Sequence, residues 1–472
     1  MRSLSYLGKS VWGRAGSASF QAEASKIVRE LFCLPLAIDQ AGAYIASGAT
    51  TIGDYLAKYF EHRKMLMSYS EFPGASKYNK TVYETWELLY KEIQQRAESI
   101  NFHKANAANN AMVLLELFPF FHHEGITKQI FSYAALQKDQ KTSNPELPLA
   151  RSILDWRLLP LNKLGTWDNL LFGEGIWVLL SFSLIKKGSS DGVYAMHPLV
   201  HAWGRDRMTL DEKKKCCKRA CVTLSCSLRW SEIQSYGFKR ALVTHVRANM
   251  ECSRSENNES IVSYLDDASE NFLLLLWEQG YLKEAETLGI QVLDTRKKVL
   301  GVEHPDTIRT MGNLAGTYQC LGKYTEAEKL EIQALDATNR VLGVEHADTI
   351  RAMGNLATTY QQLGKYTEAE KLEIQVLDAR NRILGREHAG TIRAMASLAL
   401  TYRSLAKYTE AEKLEIQAYE IKNRVSRAES PHTITTMDNV QEAQGIQVLD
   451  AGSTVPGEEN LDLTQVVLNH PI

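Results

Sequence analysis

The run Gly301–Leu342 reads GVEHPDTIRTMGNLAGTYQCLGKYTEAEKLEIQALDATNRVL. It is followed without a gap by Gly343–Leu384, GVEHADTIRAMGNLATTYQQLGKYTEAEKLEIQVLDARNRIL. The two stretches differ at seven of 42 positions, and a third copy runs from Gly385 to about Val425. The frame also extends backwards, because Gly280 and Ala285 stand 42 residues before Gly322 and Ala327, so a diverged copy is expected over about 259–300. A fixed period of this length marks units that bury their apolar faces only by stacking on neighbours.

Each unit reads as two helices. The first spans about Pro305–Leu321, where Ile308, Met311, Leu314, Ala315 and Tyr318 recur at three- and four-residue spacing. Pro305 suits the first turn, where its missing N–H is not needed, and Gly322 breaks the helix. Thr325 followed by Glu328 predicts a capping box for the second helix. That helix carries Ala327, Leu330, Ala334 and Leu335 on its apolar face, and the two alanines allow close approach. The regular glycine breaks speak against a coiled coil.

Leu314, Ala315, Tyr318, Gly322, Ala327 and Ala334 carry the spacing of the tetratricopeptide repeat, and the unit resembles that family. Met311 stands where the family often has Trp, and Glu331 where it often has an aromatic. The period of 42 rather than 34, with the junction GVEHPDT at Gly301–Thr307, resembles the kinesin-light-chain type. The resemblance implies a right-handed α-solenoid whose first helices line a groove. On those helices Arg309, Arg351 and Arg393 recur, Asn313 and Asn355 follow one turn later, and Gln319, Gln361 and Arg403 lie further along. Arginine grips a carboxylate bidentately and asparagine bonds an extended backbone, so an extended, acidic peptide is the expected ligand. Solvated residues copied along with the repeat are the competing reading.

After the third copy, Thr433, Ile434, Met437, Asn439 and Val440 keep the frame. Gly445–Asp450 then repeats Gly289–Asp294 at an offset of 156, where four periods require 168. Twelve residues of the hairpin are missing, so fraying is expected, with a poorly ordered tail from about Asp450.

In the first half, residues 23–67 read as helices with a short break. Cys33–Ile45, CLPLAIDQAGAYI, resembles the GLPLA segment of NB-ARC nucleotide-switch ATPases, with Cys33 in place of Gly. Leu114–Tyr133 resembles the helical start of the winged-helix domain of such proteins. Two strands, Ser181–Lys187 and Val193–Met196, are expected around the turn Gly188–Gly192. Met196–Arg207 is read as a helix, and Met196-His197 resembles the MHD motif with Pro198 where the family has Asp. The order resembles fungal-type NB-ARC–TPR proteins, which are NLR-like. The resemblance maps nucleotide contacts, as vestiges of ADP binding, onto Pro35 (adenine side) and His197 (phosphate side). The P-loop is not found: Gly8-Lys9-Ser10 is the only near match, with Ser3 at its first glycine and no strand before it.

The composition is that of an ordinary folded chain. Lys+Arg 54 against Asp+Glu 56 gives a net charge of -2, too balanced for coating nucleic acid. Hydrophobic residues at 44% with 23% charged are ordinary for a folded chain. Seven cysteines are no disulfide framework. Cys216, Cys217, Cys221 and Cys226 fall on one helix without CxxC pairs, which favours burial over zinc. His122-His123 and the pair His197/His201, which lacks an H-E-x-x-H glutamate, favour packing or capping. His304, His346 and His388 mark a repeated turn between units. The apolar runs Ile176–Ile185 and Phe272–Trp277 are too short to span a membrane. The first 22 residues, with Arg2, Lys9 and Arg14 and a stripe of Leu4, Leu7 and Val11, loosely resemble a presequence, but cytoplasmic location is the expectation.

The expected layout is mainly α: a tail over 1–21, a helical NB-ARC remnant over 22–100, a winged-helix-like domain over 101–210, a helical linker over 211–258, a TPR solenoid over 259–426 and a degenerate repeat over 427–472. The expected function is a non-catalytic protein–protein interaction scaffold without cofactor or metal, binding neither nucleic acid nor membrane, and compatible with oligomerisation. The alternatives are a nucleotide-regulated switch component whose P-loop comes from another chain, and a truncated gene product.

Overall fold

The computed structural model describes residues 18–46, 49–68, 81–136, 156–228, 234–255 and 266–429. The chain divides into two compact units, residues 1–363 and 364–472, and the described part is mainly helical. The expectations for the first 17 residues, for 430–440 and for the tail from Asp450 lie outside the described residues.

The first unit opens with helices α1 (Ala18–Glu30), α2 (Pro35–Ala46), α3 (Tyr55–Ser68), α4 (Val82–Ala97) and α5 (Phe102–Leu117). Pro35 does open its helix, and Ile38 and Ala41 are buried. Thr81 and Glu84 form a reciprocal capping box at α4. The unit continues with strand β1 (Ile126–Thr127), α6 (Lys128–Leu136), α7 (Leu170–Ser181), β2 (Ile185–Lys187) and β3 (Val193–Met196). The strands form an antiparallel sheet in the order β1-β3-β2. The hairpin expected around Gly188–Gly192 is present, with Ile185 opposite Met196. Helix α7 presses against α5 where Gly175 has no side chain; a Cβ there would lie 2.9 Å from the Asn110 carbonyl carbon.

The helix read over Met196–Arg207 is shorter. Met196 ends β3, His197 is the N-cap, and α8 runs Pro198–Asp206. The strand and helix share a continuous apolar pattern, and Pro198 sets the boundary because it fits only the first turn. Asp206 then ties three helices together. It accepts a bidentate pair of hydrogen bonds from Arg63 of α3, both 2.9 Å, and one from the Tyr83 hydroxyl of α4 at 2.8 Å.

Helices α9 (Leu210–Cys226) and α10 (Tyr236–Ser255) lead into the repeats. The diverged copy forms α11 (Asp266–Glu278) and α12 (Leu282–Val299), the next forms α13 (Pro305–Cys320) and α14 (Tyr324–Leu342), and α15 (Ala347–Gln362) closes this unit. Leu293, Ile308, Met311, Leu314, Ala334 and Ala337 form one apolar cluster between them. In the second unit, α16 (Tyr366–Leu384) packs on α17 (Ala389–Ser404), and α17 on α18 (Tyr408–Glu429).

The capping box at Thr325 and Glu328 does not form. Gly322 turns at φ +72 and the Lys323 N–H returns to the Tyr318 carbonyl at 2.8 Å, so α14 already starts at Tyr324 with Lys323 as N-cap and no side-chain cap. Thr325 is thereby inside the helix. The first helices are capped instead by the recurring histidines. His304, His346 and His388 each accept through Nδ1 the N–H two residues on, at 3.2, 3.1 and 3.0 Å.

Candidate peptide-binding site

The recurring polar positions lie on the first helix of each hairpin, and their surroundings differ. In α13, Arg309 donates Nε to Glu270 Oε1 and NH2 to Oε2, both at 2.8 Å, and NH2 also lies 2.8 Å from Asp306 Oδ1. Asn313, one turn on, donates Nδ2 to Glu270 Oε1 at 2.8 Å. From α12, Arg296 donates NH1 to Glu270 Oε2 and to the Asp306 carbonyl, each at 2.8 Å, and to the Thr310 hydroxyl. Burial alone would raise the Glu270 pKa; the Arg309 hydrogen bonds and the Arg296 charge outweigh it and hold the carboxyl below its usual range. Arg309 and Asn313 therefore grip a carboxylate, but it belongs to the helix one repeat earlier.

At the next copy, Arg351 is half exposed and pairs with Asp348 at 2.7 Å. Asn355 is half-buried. The frame places Gly312 where Glu270 stands, and Thr338 where Arg296 stands.

In the second unit Arg393 is exposed. The residue three before it is Gly390, where the earlier copies have Asp306 and Asp348. Arg380 of α16 donates NH1 to the Gly390 carbonyl at 2.7 Å, repeating the contact of Arg296 with Asp306. Burial, together with the neighbouring Arg393 charge, lowers the Arg380 pKa. Ser397, in the place of Asn313, donates to Glu373 Oε1.

Of the third set, Gln319 and Arg403 serve the protein's own glutamates. Gln319 donates Nε2 to Glu331 Oε1 at 3.0 Å and to Thr359 Oγ1 at 2.6 Å. Gln361 is half-buried. Arg403 forms a fork with Glu415 at 2.8 and 2.7 Å. Glu331 is 3% exposed, its Oε2 has no hydrogen-bond partner, and burial pushes its pKa up to about 7. Glu373 is raised for the same reason.

His197 meets the chain just before Pro35, at Phe32. His197 accepts the Leu199 N–H at 3.2 Å through Nδ1, hydrogen-bonds the Phe32 backbone, and its ring lies 6.0 Å from that of Phe32. Burial, assisted by Lys186, keeps its pKa below the ordinary histidine value. Phe32 and Cys33, just before Pro35, take left-handed φ values of 51 and 57. Cys216, Cys217 and Cys221 are buried and form no disulfide, and burial pushes the Cys216 thiol up to about 11, far from a reactive thiolate. Among the described residues no group of three or more His, Cys, Asp or Glu side chains could hold a metal ion. Among the same residues no helix is long and apolar enough to cross a membrane.

Sequence reading missed Glu270, Arg296, Arg380 and the buried Glu373, and noted Glu331 only as a departure from the usual residue of the repeat. A signal existed for two of them. Glu270 is acidic at a frame position that holds Gly312, Gly354 and Ala396 in the other copies, and position 380 is one of the seven differences between the two closest copies.

A family model of the tetratricopeptide repeat matches residues 273–340, 313–381 and 348–424. Residues 273–424 carry tetratricopeptide repeats. The repeat region has kinesin-light-chain-like neighbours among solved structures. A putative kinesin light chain with nearly identical TPR-like repeats from Podosopora anserina is 23% identical, with a TM-score of 0.37, covering 46% of this chain and 97% of that one. BtubC (BKLC) from P. vanneervenii is 14% identical, with a TM-score of 0.33, covering 53% and 94%. A Signal Transduction ATPase with Numerous Domains (STAND) protein with a tetratricopeptide repeat sensor from Pyrococcus horikoshii is 14% identical, with a TM-score of 0.28, covering 82% and 66%. No curated protein matches the chain.

Proposed function

We propose that the chain is a non-catalytic interaction scaffold whose repeats bind an extended peptide along their first helices. The observation that carries this is the recurrence of an exposed arginine at Arg351 and Arg393 on helices that belong to tetratricopeptide repeats. Arginine in a groove gives bidentate recognition, and the neighbouring amide at Asn355 suits a peptide backbone. The first half is read as a relative of NB-ARC switch proteins with a winged-helix unit. The strand order β1-β3-β2, with α6 and α7 between β1 and β2, supports that reading. The layout over 22–100, 101–210, 211–258 and 259–426 is proposed on the same basis.

A second reading has one observation in its favour. The contact of His197 with Phe32 brings the Pro35 loop and the MHD-like histidine together, as a nucleotide pocket would require. In that reading a P-loop domain from another chain completes an ADP or ATP site. Calorimetry on the full chain separates the two. The scaffold reading expects peptides selected from a random 12-residue library to bind, with no heat from ADP and magnesium. Micromolar ADP binding that is lost in His197→Ala would favour the switch component. Failure to select any peptide would remove the scaffold reading.

A further inference from the structure

The first clamp is electrically closed. Arg296 and Arg309 carry two positive charges, and Glu270 and Asp306 answer them with two negative ones. The second copy is closed more cheaply: Thr338 replaces the inner arginine, and Asp348 answers Arg351. The third copy is open. Arg380 restores the inner arginine and Arg393 the outer one, yet Gly390 has removed the aspartate. Ala394 has also removed the hydroxyl that Thr310 offers Arg296. The Arg380 NH1 contact with the Gly390 carbonyl holds that side chain in the pose of Arg296. Among the described residues neither Arg380 nor Arg393 has a carboxylate partner. Burial first, and the like charge of Arg393 second, lower the pKa of the half-buried Arg380.

We propose that Arg380 and Arg393 form a receptor for the side-chain carboxylate of a glutamate or aspartate in a bound extended peptide. Glu270 shows inside the same molecule what this pair of positions holds: a side-chain carboxylate with one oxygen shared between the two arginines and the other on the outer one. Planar forks match a carboxylate at 2.8 Å, and a receptor of two forks selects an acid over its amide. The proposal rests on the scaffold reading and adds the chemistry of the ligand. It also ranks the arginines: Arg309 is occupied by Glu270, Arg351 is neutralised by Asp348, and the third copy carries the recognition.

The test uses the full chain and peptides selected on it from a random 12-residue displayed library, synthesised with a fluorescent label and an amidated C-terminus. Anisotropy is read for each peptide, for its twin with Glu and Asp replaced by Gln and Asn, and for that twin with a free C-terminal carboxylate. The variants are Arg393→Gln, Arg351→Gln and Gly390→Asp. The last restores the aspartate of the earlier copies; since Asp306 and Asp348 occupy that turn beside the equivalent histidine, it is expected to fold. The proposal expects acid-containing peptides, a loss of about tenfold or more in the amide twin, and a similar loss in Arg393→Gln and Gly390→Asp, against a smaller loss in Arg351→Gln. Peptides that bind equally as amides, or equally to Gly390→Asp, overturn it and leave the scaffold reading intact. Full affinity restored by a free C-terminus on the amide twin overturns the assignment to a side chain. A library that yields no binder removes the scaffold reading itself, and this proposal with it.

Discussion

Arg296 is 1% exposed, and its NH1 lies 2.8 Å from Oε2 of Glu270, a residue 26 positions earlier on another helix. A guanidinium this deep is tolerable only while a carboxylate answers it. Glu270→Gln is therefore expected to cost about 3–5 kcal/mol, because it leaves a buried charge unpaired. The second copy shows an apolar-side solution, with Gly312 and Thr338 at these two frame positions. Glu270→Gly combined with Arg296→Thr should recover most of the loss. Urea denaturation at pH 7 measures both. A double variant no more stable than the single one would mean that the pair does not act as a unit.

Ala406 occupies the left-handed turn between α17 and α18 at φ +59, where the earlier copies place Gly322 and Gly364 at +72 and +73. An L residue there presses its Cβ on the following carbonyl, at about 1–2 kcal/mol, partly offset by the greater freedom that glycine has in the unfolded chain. Ala406→Gly should raise stability by about 0.5–1 kcal/mol, seen as a higher midpoint in thermal unfolding. Gly322→Ala should lower it by a similar amount. Equal midpoints for Ala406→Gly and the parent would show that the turn is relaxed.

The two cases show what the sequence could and could not disclose. Periodicity placed the repeat helices and glycine placed their ends, because backbone hydrogen bonding and apolar burial act over a few residues. The hairpin at Gly188–Gly192 was legible for the same reason. The occupation of Arg309 by Glu270 was not, because it depends on which helix of the preceding repeat reaches across 39 residues. The histidine caps were half legible: their recurrence at 42 residues was plain, but Asp or Ser would have been expected at a helix start. Thr325 misled because a capping box describes a local pattern, and the turn at Gly322 had already started the helix.

Glu331 is buried on α14, and burial pushes its pKa up to about 7. A carboxyl whose folded pKa exceeds the unfolded value binds its proton more tightly when folded. Its contribution is complete below about pH 4.5 and is lost as pH rises through 7. Glu331→Gln keeps an acceptor for Gln319 and removes the titration. It should stabilise the protein by about 1–3 kcal/mol at pH 8 and leave stability at pH 4.5 nearly unchanged. Urea midpoints at the two pH values decide, and a variant equally stabilised at both would exclude the titration as the cause.

His201 and His245 behave in the opposite sense. His201 Nε2 meets the Phe121 carbonyl at 2.8 Å while its Nδ1 faces Arg205 at 3.1 Å. His245 Nδ1 accepts the His122 N–H at 3.1 Å, and its Nε2 meets the Gly125 carbonyl at 3.0 Å. Each ring thus donates on one side and stays unprotonated on the other. Burial first, then the Arg205 charge for His201 and the His122 ring for His245, depresses the pKa values to about 3 and about 4. The unfolded chain takes up these protons near pH 6.5, so the stability they confer is present above that value and is lost as pH falls toward 4. The loss is about 1.4 kcal/mol per histidine for each pH unit in that window. Hydrogen exchange, corrected for intrinsic rates, should show amides of α10 opening more readily at pH 5 than at pH 7, whereas those of α13 and α14 around Glu331 open less. His245→Gln should flatten the dependence in α10 alone. If both regions moved in the same direction, the buried histidines would not be the groups that set the acid response.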